Sequence, residues 1–375
     1  MDNKSVCIIL TDPLKSFVKK GEIKPNYYNP GDFFDKIYFI SFSHSDVDND
    51  SAKILSANAD VRIYPLGKIN ILTLLPIFIR ALFLIKKIRP ALIRAYDPSA
   101  RGLFSVIIGR LLGIPVVISI HAELDEQRKC DNRFKLKFRR LLEYHSIRLA
   151  DTVICVTNHV REYAQRFGAL NNHTKVIYNG VDLVQFAHPS TQQIFRKDTI
   201  LCVGRLDKQK YQECLIKAVS LLDTDMDLAL IGDGPEFNRL VQLSRELNIA
   251  QKVHFIRSVP HNKIQDYYCS AKIFAIATHY EGFCIPVIEA MASGVPVVAS
   301  CIPPIREIIG DAGLLADNSP ESFRSNIELL LKDNKMYDTF VEKGKHRVRM
   351  FDNAVIEQEH KKIYAALIAR YEMMK

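Results

Sequence analysis

The chain has 375 residues, 48% hydrophobic and 25% charged, the proportions of a soluble globular protein long enough for two separate cores. Its net charge of +9 is lopsided: residues 1–185 hold 27 Lys plus Arg against 18 Asp plus Glu, and residues 186–375 balance at 24 against 24. Eight scattered cysteines with no Cys-x-x-Cys pair argue against a disulfide framework or zinc site, and no nucleic-acid-binding motif accompanies the basic charge.

In chain order, Ser5 to Leu10 reads as a short strand. Its apolar run is too brief for a secretory signal, which together with reduced thiols sets the expectation of a cytoplasmic protein. Further strands are expected at Ile37–Ser43, Ala91–Ala95, Val116–Ile120, Val153–Val156 and Val176–Tyr178. The longest apolar stretch, Ile69 to Ile85, is broken by Pro76 and Arg80 and followed by Lys86 and Lys87. A membrane span wants about 20 uninterrupted apolar residues, so this stretch reads as a buried or interfacial helix. Helices are expected at Ala100–Leu112, stopped by Gly113, and at His159–Phe167, stopped by Gly168. Between them Arg128, Lys129, Arg133, Lys135, Lys137, Arg139 and Arg140 alternate with Phe134, Leu136, Phe138, Leu141 and Leu142. That pattern suits an anionic membrane surface or a phosphate-bearing lipid, and equally a solvated helix face.

Residues 181–197 read as an irregular linker. A second strand series follows at Ile200–Val203, Leu228–Ile231, Val253–Phe255, Ile273–Ala277 and Val297–Ala299, and Asn353–Tyr371 has a helical apolar period. Strands alternating with helices imply parallel, doubly wound sheets whose ligands sit beyond the strand carboxyl ends. The first domain is expected over 1–180, with 353–375 packing back on it, and the second over 198–352.

The loops at those strand ends carry the chemistry. Residues 278–296 place Glu281 and Glu289 around a turn: Gly282 breaks the strand, Pro286 suits a helix start, and Gly294 suits its stop. Glu289 is expected in the first helical turn. A glycine beside a helix N-terminus lets a phosphate approach backbone N–H groups, and a carboxylate accepts from two vicinal hydroxyls at once. Gly204, Arg205 and Lys210 follow an expected strand, and an arginine and a lysine five positions apart after a glycine can grip a diphosphate from two sides.

The Glu-x7-Glu spacing, the core from Glu281 through Gly282, Phe283 and Pro286 to Glu289, and the trailing Gly294-Val-Pro-Val-Val-Ala299 resemble the signature of retaining, nucleotide-sugar-dependent glycosyltransferases of the GT-B fold, group 1. The resemblance covers most of residues 90–320 and departs from the family in having Cys284 for the usual glycine and Ala277-Thr278 for the usual Pro-Ser. It implies two Rossmann-like domains facing each other across a cleft, with Arg205 and Lys210 on the donor diphosphate, Glu289 on the ribose and Glu281 on the transferred sugar. It further implies His121 near the donor sugar, less securely Glu123, and a nucleotide pocket shaped by Gly232, Asp233, Gly234 and Pro235, with Arg257, Ser258 and Val259 toward the base. The family's glycine-rich loop after the first strand is missing; Lys19, Lys20, Gly21 and Glu22 are its nearest substitute.

Two aspartate clusters, Asp46/Asp48/Asp50 and Asp223/Asp225/Asp227, lack the glycine and closing glutamate of a calcium loop. They read as polar connections, and metal-independent transfer without a cofactor is expected. The expected partners are a nucleotide-sugar donor, a saccharide or lipid-linked acceptor, and an anionic inner membrane face near Arg133, Lys135, Lys137, Arg139 and Arg140, with no nucleic acid. A nucleotide-sugar epimerase and a catalytically silent sugar-nucleotide-binding scaffold are the alternatives.

Overall fold

The computed structural model describes residues 4–16, 26–53, 55–70, 72–127, 133–187 and 193–374, without the side chains of residues 126, 127, 133 and 134. The segment Lys19 to Glu22 and the basic residues Arg128 and Lys129 lie outside the described residues, as does the side chain of Arg133. The chain divides into two units, Met1–Tyr178 with Ala354–Lys375, and Asn179–Asn353.

In the first unit, seven parallel strands, β1 (Ser5–Ile9), β2 (Lys36–Ser41), β3 (Asp60–Pro65), β4 (Leu92–Ala95), β5 (Val116–Ile120), β6 (Thr152–Cys155) and β7 (Thr174–Val176), run in the order β3-β2-β1-β4-β5-β6-β7. Every residue of β1 and of β5 is buried, because helices cover both faces of a parallel sheet. The terminal helix Asn353–Met373 supplies Ile356, Tyr364, Leu367 and Ile368 to the core formed by Val6, Ile8, Leu92 and Val117.

In the second unit, β8 (Thr199–Val203), β9 (Asp227–Ile231), β10 (Val253–Ile256), β11 (Ile273–Ile276), β12 (Val297–Ser300) and β13 (Leu314–Ala316) run in the order β10-β9-β8-β11-β12-β13. Strand order reverses between β8 and β11, the switch point where the flanking helices leave a crevice at the carboxyl ends.

Four sequence expectations are corrected. β3 and β13 were not anticipated: β3 is a half-exposed edge strand and β13 has only three residues. β7 begins two residues before Val176. Residues 181–197 are not wholly irregular, since a helix Leu183–Ala187 forms and buries Phe186 edge-on to Tyr268, 5.8 Å between ring centroids. Glu289 is the fifth residue of the helix Ile285–Ala292 and so lies in its second turn.

Candidate functional site

The loops leaving β8 and β11 meet at the switch point of the second unit. Asp207 caps the short turn Lys208–Lys210 by accepting the Lys210 backbone N–H at 3.1 Å. The Lys210 side chain then reaches Glu281, 71 residues away in sequence, with Nζ 2.5 Å from Oε1. The two side chains are only 16% and 8% exposed, so the pair is shielded from screening. Burial alone would lower the Lys210 pKa; the Glu281 carboxylate outweighs it and holds the ammonium charged.

Thr278, which stands at one of the family departures, fixes this loop. Its hydroxyl lies within 3.1–3.2 Å of Glu281 Oε1 and the carbonyls of Gln209 and Tyr280. Its own backbone is held by Ser300 Oγ, which accepts from Thr278 N–H, and by Asn318 Nδ2, which donates to the Thr278 carbonyl. Glu281 Oε1 is thereby engaged twice, and Oε2 has no partner among the described residues. Sequence reasoning missed Thr278, Ser300 and Asn318; the Ala277-Thr278 departure was the one signal that pointed at them.

Gly232 and Gly234 lie where the loops after β8 and β9 touch. A Cβ on Gly232 would fall 2.1 Å from the Gly204 carbonyl oxygen, and one on Gly234 would fall 2.2 Å from that of Leu206. Gly232 also has φ +145. These glycines are therefore required by backbone packing, and the Lys210 stem runs alongside Gly204.

Cys284 adopts φ 84, ψ 72, the left-handed conformation that glycine takes most easily, immediately before the helix Ile285–Ala292. Burial, reinforced by Glu281, pushes the Cys284 thiol up, so it stays protonated beside Lys210. Phe283 packs edge-on against Phe351. Glu289 is 6% exposed, and its Oε2 accepts from the Tyr268 hydroxyl at 2.8 Å. His261 Nε2 lies 3.6 Å from Oε1, beyond hydrogen-bond range, and makes no hydrogen bond among the described residues. Tyr268 and His261 are further residues that the sequence pattern did not reveal.

Other expected residues stand apart from this group. The Arg205 side chain is 62% exposed and pairs with Asp207, Nε to Oδ2 at 2.8 Å. Arg257 lies 4.1 Å over the Phe237 ring. Each aspartate of the two clusters is used locally: Asp46 accepts from Leu14 and Lys15 N–H, Asp48 from Ser51 N–H, and Asp50 pairs with Lys53. In the second cluster Asp223 pairs with Arg324, Asp225 with Lys197, and Asp227 with His254.

In the first unit His121 follows β5 and stacks on Tyr96 at 5.6 Å, with an interplanar angle of 16°. Behind Tyr96 lies Arg94, buried, its guanidinium 4.4 Å over the Tyr96 ring and hydrogen-bonded to Ser119 Oγ. Burial and then the Arg94 charge push the His121 pKa down to about 4, so the ring is neutral at pH 7. Glu123 is spent on His159 and Arg166, at 2.8 and 2.6 Å. The helix Arg133–Leu149 carries Lys135, Lys137, Arg139 and Arg140, the last paired with Asp125 at 3.0 Å.

A family described as Glycosyl transferases group 1 matches residues 186–347, and Glycosyltransferase Family 4 matches residues 37–185. The crystal structure of Anabaena HepE in complex with UDP has a TM-score of 0.80 at 18% identity, covering 97% of this chain and 100% of that one. The chain belongs to the group 1 glycosyltransferases and has the GT-B fold.

Among its relatives is the Campylobacter jejuni N-acetylgalactosamine-N,N'-diacetylbacillosaminyl-diphospho-undecaprenol 4-alpha-N-acetylgalactosaminyltransferase, 31% identical over 205 residues, which are 53% of this chain and 56% of that protein. The D-inositol 3-phosphate glycosyltransferase of Corynebacterium diphtheriae is 27% identical over 260 residues, 62% of this chain and 61% of its own. The chain thus spans little more than half the length of these curated relatives.

Proposed function

We propose that this protein is a retaining, metal-independent hexosyltransferase that moves a sugar from a nucleoside-diphosphate donor to a saccharide or lipid-linked acceptor. The observation that carries the reading is the shielded Lys210–Glu281 pair at the β8/β11 switch point. As the glycosidic bond to the diphosphate breaks, negative charge grows on the leaving oxygen, and a fixed ammonium stabilises it without reorganising. Lys210 takes that role, assisted by the helix end at Cys284 and by Arg205, which is free to swing from Asp207.

Glu281 holds Lys210 through Oε1 and offers Oε2 to a hydroxyl of the transferred sugar. Glu289 accepts from the ribose, with Tyr268 fixing its orientation. Neither glutamate acts as a nucleophile: the acceptor hydroxyl attacks from the face that the diphosphate leaves, and the departing phosphate takes the proton. Neutral His121 serves the transferred sugar as a hydrogen-bonding group. The Campylobacter relative, whose name specifies a diphospho-undecaprenol acceptor, supports a lipid-linked acceptor. The basic helix Arg133–Leu149 supports placement at the cytoplasmic face of a membrane.

The test is NMR of the product formed from a nucleoside-diphosphate α-sugar with a panel of saccharide and lipid-linked acceptors. An α-linked product, with turnover unchanged by EDTA, is expected. A β-linked product overturns retention, and reversible loss with EDTA overturns metal independence.

A further inference from the structure

The helix Leu74–Ile88 has two apolar faces. Ile77, Ala81 and Ile85 are buried against the first unit. About half a turn away around the axis lies a second stripe of large side chains in solvent, Leu75 at 66% exposure, Ile79 at 43% and Phe83 at 65%, and Leu72, in the turn that precedes the helix, is 83% exposed. Among the described residues nothing covers this stripe. A soluble helix ordinarily shows water a polar face, and an apolar patch of this kind marks a docking surface.

What surrounds the stripe selects the occupant. The helix contains Arg80, Lys86 and Lys87 and no carboxylate. The helix Ala100–Leu112 packs beside it and also against Arg133–Leu149. These neighbours add the exposed apolar residues Ile107, Leu111, Phe138 and Leu141. The three helices share one carboxylate, Glu143, which is buried and accepts from the Tyr163 hydroxyl. A second copy of the chain would bring the same cations to the contact, whereas an anionic bilayer complements them. At 15 residues the helix is about 22 Å long, short of the roughly 30 Å hydrocarbon core, and no described helix is long and apolar enough to cross a membrane.

We infer that the outer face of Leu74–Ile88, with Leu75, Ile79 and Phe83 as its inserted side chains, seats this protein in the plane of an anionic lipid surface. Its cations hold the headgroups, and the apolar stripe enters the headgroup–acyl boundary. The inference deepens the membrane placement proposed above, yet it is independent of the transfer chemistry.

The chain has no tryptophan, so Phe83→Trp installs a single indole on the stripe, and Leu329→Trp, at a 42% exposed site in the second unit, is its control. Each variant is mixed with phosphatidylcholine vesicles with and without phosphatidylglycerol, and with vesicles carrying brominated acyl chains. The expected result is a blue shift and bromine quenching for Phe83→Trp alone, strongest with phosphatidylglycerol. Adding Leu75→Asp should lower partition about tenfold, and Lys86→Ser with Lys87→Ser should remove the preference for anionic lipid. Equal quenching of the two indoles, or none, overturns the inference. A blue shift of Phe83→Trp that grows with protein concentration in lipid-free buffer overturns it in favour of self-association. Turnover of a soluble acceptor, assayed in parallel, reports on the catalytic reading alone, so the two readings fail separately.

Discussion

At the residue scale, the Lys210–Glu281 pair couples stability to chemistry. Removing one partner of a buried pair strands the other charge, so Lys210→Ala and Glu281→Ala should each cost about 3 kcal/mol of stability, and the double variant less than their sum. Denaturant unfolding of the four proteins gives the coupling; simple additivity would mean that the charges do not interact. His121 makes a pH prediction. Its pKa is depressed in the folded protein, first by burial and then by Arg94. Between the ordinary value of 6.5 and about 4 the folded chain therefore binds fewer protons at this site than the unfolded chain. The stabilisation is full above pH 6.5 and is lost as pH falls through about 4. Replacing Arg94 by Met should move the His121 midpoint upward in an NMR titration, with Arg94→Lys restoring it. A midpoint that stays in place would show that Arg94 does not act on the ring.

At the element scale, the strand, turn and helix from residue 273 to 300 were legible because each boundary has its own signal: an apolar run, then Gly282, Pro286 and Gly294. The same signals did not reveal that Lys210 and Glu281 pair, since that contact is set by β8 lying beside β11, not by any local spacing. Thr278 read only as a departure, and its role emerges once the Gln209 carbonyl is brought to it. β3 escaped because its sequence Asp60 to Pro65 alternates polar and apolar residues at a sheet edge, and the double-faced helix Leu74–Ile88 could not be told from a buried one by composition. The loop contact at Gly232 yields a further test. Gly232→Ala places a methyl against the Gly204 carbonyl at a strained φ, so it should cost more than about 2 kcal/mol by thermal or denaturant unfolding. An unchanged midpoint would mean that the two loops separate readily.

At the scale of the whole molecule, the expected donor-holding side chains Lys210, Glu281 and Glu289 all belong to the unit Asn179–Asn353. A fragment limited to that unit should therefore retain nucleoside-diphosphate binding by calorimetry while losing transfer. Loss of binding in a folded fragment would require contacts from the first unit. The first unit, in contrast, draws Tyr364, Leu367 and Ile368 from the end of the chain, so deletion of Ala354–Lys375 should unfold it.

Calorimetric titration of a nucleoside diphosphate into the parent, Glu289→Gln and Glu281→Gln proteins, with sugar transfer measured on the same samples, separates a ribose-holding Glu289 from a sugar-holding Glu281. Glu289→Gln should weaken binding of the bare nucleotide about tenfold, as expected for loss of a charge-assisted hydrogen bond. Glu281→Gln should leave that binding intact and lower transfer by about a hundredfold or more. Equal weakening of nucleotide binding by both substitutions would contradict the account.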